Sequence, residues 1–209
     1  MKKVLYLFSL LALCLVGCKE NDDTIDEFPD WAHQNDVYYG ALVSEAMAKK
    51  AAGDTTWDVL VSYSAPATGY ACQYYDYVVV EKLEEAQGTR FASPVLTDTV
   101  EVHYVGTLKT SADRYSTQGM EFDRSYAGTF NPETATPAKF AVNKVVKGFG
   151  TALLNMRHGD KSSDHWRVYI PYQLGYGTAA SGSIPGGSTL IFDLRLQDFW
   201  RKTKGDRYE

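Results

Sequence analysis

The second half of the chain is governed by a two-residue rhythm that a single segment breaks. In "VEVHYVGTL" (100–108), Val100, Val102 and Tyr104 fall on one face of an extended chain and Glu101 and His103 on the other. "HWRVYIP" (165–171) repeats the pattern with Trp166, Val168 and Ile170, and "LIFDLRLQDF" (190–199) with Leu190, Phe192, Leu194 and Leu196. "YDYVVVEKLEE", from Tyr75, reads as a further strand before a turn, and Phe122 opens another short extended element. Only "VVKGFGTALLNM" (145–156) changes period, placing Val145, Val146, Phe149, Leu153 and Met156 on one helical side. Several strands around one short helix predict an α+β domain with an antiparallel sheet wrapped on that helix. No internal repeat is visible.

The first 74 residues have a different character. "MKKVLYLFSLLALCLVGC" (1–18) has two lysines, then an apolar run shorter than the about 20 residues a spanning helix needs. It reads as a secretory signal, and Leu15-Val16-Gly17-Cys18 resembles a bacterial lipobox, which implies lipid on Cys18 as the new N-terminus. The expected location is therefore the bacterial cell envelope, lipid-anchored at a periplasmic face or the cell surface, with the outer membrane preferred. "KENDDTIDEFPD" (19–30) reads as an acidic tether, and it is similar to the surface-export cues of some lipoproteins.

Asp30 is a candidate cap for an amphipathic helix over 31–52, with Trp31, Tyr38, Tyr39, Leu42, Val43, Ala46 and Met47 along its stripe and Gly53 as its stop. The stripe must pack on the chain's own domain or on a second copy. "WDVLVSYS" (57–64) looks like a short strand and "APATG" a turn, so 31–74 is a helix-plus-strand extension, 75–200 the domain, and 201–209 a charged tail.

Composition and motifs exclude several function classes. A net charge of −5 without a Lys/Arg cluster argues against nucleic-acid binding. With Cys14 inside the signal and Cys18 committed to lipid, Cys72 has no partner for a disulfide or a zinc site. His33, His103, His158 and His165 share no ligand spacing, so no metal is expected, and nothing calls for a cofactor. There is no G-x-S-x-G, no H-E-x-x-H and no P-loop lysine, and Leu153 stands where a dinucleotide fingerprint beginning at Gly148 needs glycine. The tract "GYGTAASGSIPGGSTLIFD" (175–193) contains no lysine and leads into a strand, so it is not a phosphate cradle; its small residues suit a flap.

Five motifs then occur in order: "VEVHYVGTL", "EFDRS", "FAVNKVVKGFGTALLNMRHGD", "YIPYQLGYG" and "SIPGGSTLIFDLRL". Together they strongly resemble the FKBP-type peptidyl-prolyl cis-trans isomerases over about Tyr75 to Phe199. The preceding helix is similar, more loosely, to the Mip-like branch, which implies a homodimer through helix 31–52. By the same resemblance Tyr104, Phe122, Asp123, Tyr176 and Phe192 are the catalytic positions. Phe140, Val145, Val146, Phe149 and Ile184 then bind substrate, the Tyr176 hydroxyl and the Ile184 backbone N–H holding substrate carbonyls. Phe149 takes the floor position where the best-known members have tryptophan, and the loop from Lys109 to Met120 is longer than the common form. The implied partners are proline-containing exported polypeptides and macrolides of the FK506/rapamycin type. The competing expectation is an FKBP-like binding or chaperone module with little turnover.

Overall fold

The computed structural model describes residues 28–66, 70–111 and 119–201. The signal and Cys18, most of the acidic tether, the middle of the 109–120 loop and residues 202–209 lie outside that set. Among the described residues no helix is long and apolar enough to cross a membrane.

The elements run α1 (Trp31–Ala51), β1 (Trp57–Val61), β2 (Tyr77–Glu84), β3 (Phe91–Ala92), β4 (Thr99–Leu108), β5 (Glu121–Arg124), β6 (Ala138–Ala141), α2 (Lys147–Asn155), β7 (His158–Gly159), β8 (His165–Ile170) and β9 (Leu190–Trp200). Seven strands form one sheet in the order β1-β2-β8-β9-β4-β5, with β6 also on β4, while β3 and β7 pair separately. Every pairing is antiparallel. Because β1 pairs with β2, the expected boundary at 74/75 falls inside a continuous sheet.

The alternation decides which face meets α2. Val100, Val102, Trp166, Val168, Leu190 and Leu194 join Ala152 and Leu153 of the helix, and Met156 just after it, in one buried cluster. The helix lies close to the sheet at Gly148, where a Cβ would come within 2.2 Å of Ile170 Cγ2. The helix is shorter than its periodicity implies. Val145 and Val146 are extended and lead into it, and Met156 follows its last turn.

The opposite face is not left to water. α1 packs Tyr39, Leu42, Val43 and Ala46 against Val79 and Tyr169, so its stripe is buried on the chain's own sheet. The Tyr39 hydroxyl lies 2.9 Å from the Tyr77 carbonyl and 3.0 Å from that of Tyr169. Two details of the expected helix change. Met47 is exposed while Asn35 is fully buried in its stead, and Asp30 is left-handed (φ 47°) with no capping bond from its side chain. Gly53 does end the helix at positive φ, its N–H bonded to the Lys50 carbonyl.

Beyond α1 this face carries charge. His165 sits between Asp193 (2.7 Å) and Glu84 (3.1 Å), and Arg195 donates to Glu84 at 3.0 Å. Glu101 and His103, on the strand face opposite Val100, Val102 and Tyr104, are buried too; the rings of Tyr126 and Phe130 close over His103. Burial opposes charge on Asp193, but the hydrogen bond with His165 and the nearby arginines outweigh it and hold its carboxyl below the usual 3.8. The Arg195 bond, aided by His165, likewise holds Glu84 below 4.5. A carboxyl depressed on folding stabilises fully above its unfolded pKa and loses that contribution as pH falls through the folded value. The urea midpoint is therefore expected to fall further between about pH 5 and about pH 3 in the wild type than in Asp193→Asn. Equal falls would remove Asp193 from the account.

Candidate active site

A cavity of about 240 Å³ opens between the sheet and the start of α2. β4 supplies Tyr104, β5 Phe122 and Asp123, β6 Phe140, and β9 Phe192, while the approach to α2 supplies Lys144, Val145 and Val146 and its first turn Phe149. Tyr176 comes from the flap segment after β8. The register explains why these side chains meet. Gly106 of β4 stands opposite both Phe192 and Asp123, and a Cβ there would lie 2.6 Å from the Phe122 ring and 2.9 Å from Phe192. The absent side chain is the space the two rings occupy.

The rings form an edge-to-face box. Phe192 is 4.9 Å from Phe149, 5.6 Å from Phe122 and 6.0 Å from Tyr104, and Tyr104 is 6.1 Å from Phe149. Each such pair contributes about 0.5–1.5 kcal/mol beyond area burial. The floor is buried, with Phe149 and Phe192 nearly inaccessible, whereas Tyr176 at the mouth is 46% exposed.

The polar groups are few, and two of them engage each other. The Tyr104 hydroxyl donates to Asp123 Oδ2 at 2.6 Å, and Asp123 Oδ1 accepts the Arg124 N–H at 2.8 Å. Burial, reinforced by Asp123, pushes the Tyr104 hydroxyl pKa far up, so it stays a neutral donor. The lining contains, among the described residues, no histidine, cysteine or serine that could attack a substrate. Among the described residues no group of three or more His, Cys, Asp or Glu could hold a metal. The chemistry available is an apolar, oriented enclosure with hydrogen bonds at its rim.

Nine of the ten pocket residues named from sequence line this cavity. Ile184 does not. It is buried, and its N–H donates to the Ser181 carbonyl at 3.0 Å while Ser181 N–H returns a bond at 2.9 Å. The flap tip thus closes on itself and uses the amide expected to meet substrate. Lys144 was missed. It directly precedes the two valines, and the turn Val142–Lys144 carries it to the rim. The flap's feet are pinched together, Gly187 N–H to Gly177 O at 2.9 Å, and a Cβ on Gly186 would lie 2.0 Å from the Thr178 carbonyl.

Comparison with known proteins adds an independent line. Residues 92–197, just over half of the chain, match the profile of the family described as FKBP-type peptidyl-prolyl cis-trans isomerase. The chain is 40% identical over 119 residues to FK506-binding protein 2 of Aspergillus oryzae, covering 56% of this chain and 75% of that protein. It is 38% identical over 120 residues to the macrophage infectivity potentiator of Trypanosoma cruzi, covering 57% of this chain and 51% of that protein. The crystal structure of FkpA from Escherichia coli superposes with a TM-score of 0.53 at 26% identity, over 83% of this chain and 63% of that one. The chain thus spans only part of the length of several proteins it matches. An antiparallel sheet wrapped on one short helix, an aromatic box at the helix start, and these matches lead to one assignment: the chain belongs to the FKBP-type peptidyl-prolyl cis-trans isomerases.

Proposed function

We propose that the cavity accelerates rotation about X-Pro bonds in exported polypeptides, without a covalent intermediate. The observation that carries this reading is the edge-to-face box of Tyr104, Phe122, Phe149 and Phe192, an apolar enclosure whose floor rings Phe149 and Phe192 are nearly inaccessible. The barrier to rotation is amide resonance, about 18–20 kcal/mol. The twisted amide is less dipolar than the planar one, so replacing water by an apolar enclosure favours it. Tyr176 at the mouth supplies a hydroxyl for a substrate carbonyl. Asp123 orients Tyr104 and sets the polarity of the rim. Ile184 joins them only when the bridge to Ser181 opens. Phe149 makes a smaller floor than tryptophan, which lowers macrolide affinity more than turnover.

The lipobox-like Leu15–Cys18 supports a lipid anchor in the cell envelope, which would bring the pocket to newly exported chains. A homodimer through helix 31–52 would have to use residues other than Tyr39, Leu42, Val43 and Ala46, already buried on the sheet.

A protease-coupled assay with an apolar residue before proline tests the main reading. Phe122 is half-buried, so Phe122→Ala is expected to fold and to lose about tenfold or more in kcat/KM. Equal wild-type and variant rates at background would end the idea. The engaged Ile184 amide favours a second reading, a holding module with little turnover. Protection of an unfolding client by Tyr176→Phe plus Asp123→Ala, without isomerisation in the wild type, would select it.

A further inference from the structure

The flap that carries Tyr176 and Ile184 is gripped at both feet by the first turns of α1. At the outgoing foot, Trp31 Nε1 donates to Ser188 Oγ at 2.7 Å, and Ser188 Oγ donates to the Pro185 carbonyl at 2.6 Å, next to Ile184. Asn35 Oδ1 accepts the Thr189 N–H at 2.8 Å, while Asn35 Nδ2 donates to the Trp31 carbonyl. Trp31, Asn35, Ser188 and Thr189 are all buried, so these bonds are shielded from water. Gly187 lets the two segments touch, since a Cβ there would stand 2.6 Å from the Ala32 Cβ.

At the incoming foot, the Asp36 carboxylate accepts the Tyr172 hydroxyl at 3.3 Å and the Gln173 amide at 3.5 Å, and its position is fixed further by the Tyr74 hydroxyl at 3.1 Å. The Tyr172 carbonyl in turn accepts the Gly177 N–H at 2.8 Å, next to Tyr176. Each grip is thus one hydrogen bond removed from a neighbour of a proposed substrate-holding residue.

We propose that α1 is a clamp that sets the flap over the isomerase pocket, with Trp31, Asn35 and Asp36 as its positioning residues. The inference rests on the isomerase reading of the pocket. These residues precede 92–197, the stretch matched to the family. The N-terminal extension of this chain is therefore a working part of its site, and whatever displaces α1 lowers turnover.

The test uses the full chain with Trp31→Phe, which keeps the ring and removes the donor, and Asp36→Ala. Tyr39→Phe is the control: same helix, a lost bond to the sheet, no contact with the flap. Readouts are kcat/KM on an X-Pro peptide, the urea midpoint, and hydrogen exchange of the Gly187 and Thr189 amides at the foot of the flap. Trp31→Phe and Asp36→Ala are expected to lose about tenfold in kcat/KM, with faster flap exchange. Asp36→Asn, which keeps one acceptor, is expected to lie between them and the wild type. Tyr39→Phe is expected to lower the urea midpoint and leave kcat/KM within about twofold. Wild-type flap exchange in both clamp variants, or an equal loss of turnover in Tyr39→Phe, overturns the clamp. A wild type that does not isomerise refutes the pocket reading instead, and the clamp is then decided by flap exchange alone.

Discussion

Gly106→Ala is expected to reduce kcat/KM on X-Pro peptides by about a hundredfold while the sheet still forms. The expectation runs against propensity. Glycine weakens a strand interior, and Gly106 is not among the positive-φ glycines, so a reading from backbone alone predicts that alanine stabilises β4. The pocket predicts otherwise. The added methyl would sit 2.6 Å from Phe122 and 2.9 Å from Phe192, and neither ring can remain where it is. Phe192 is packed edge-on against Phe149 and Tyr104, so Phe122 must swing outward and open the wall beside Asp123. Overpacking of this size costs about 1–3 kcal/mol. The assay of turnover and a urea titration separate the two readings: a more stable, fully active variant would mean that the two rings do not need that space.

The second large effect falls on the floor. Phe149 is nearly inaccessible and touches the rings of Tyr104, Phe140 and Phe192. Truncation to alanine is expected to cost about 3–5 kcal/mol, from lost transfer energy and the cavity left behind. That is a large share of the about 5–15 kcal/mol that holds an ordinary domain together. Turnover should fall at least as far as in Phe122→Ala, because water gains the floor as well as the rim. Phe149→Leu keeps most of the volume and is expected to fold well, with an intermediate rate. Chemical denaturation and the coupled assay on both variants check the order wild type, leucine, alanine. An alanine variant with undiminished turnover per folded molecule would show that the floor is only core.

The parts of this architecture that were legible in the sequence are those set by short-range periodicity or by residue type. Leu190, Phe192, Leu194 and Leu196 alternate, and all four are buried on the α2 side. The pocket aromatics were found by motif order, and the strand register then brings them together. What escaped depends on contacts distant in the chain. Period places Glu101 and His103 opposite Val100, Val102 and Tyr104 but does not say what covers that face; the rings of Tyr126 and Phe130, in the segment after β5, close over His103. Asn35 reads as a surface residue of an amphipathic helix, but Thr189, far along the chain, donates to it in the core. Val145 and Val146 fit a helical period although the backbone is still extended there, because apolar spacing does not mark where the first turn closes. Asp30 has the right chemistry for a cap and the wrong backbone conformation. The fate of the Ile184 amide is a matter of the flap's internal bonding, which no residue type announces.

The central claim is that an enclosure of aromatic rings lowers the barrier to imide rotation without forming a covalent intermediate. Exchange spectroscopy by nuclear magnetic resonance on a Leu-Pro peptide, with catalytic amounts of the full chain, measures that directly. Unaided, cis and trans forms interconvert over tens to hundreds of seconds. With the wild type, exchange peaks between the two forms are expected on a time scale of about a second or less, fading to the unaided rate with Gly106→Ala. A folded wild type that leaves the two forms unexchanged on that time scale would contradict it.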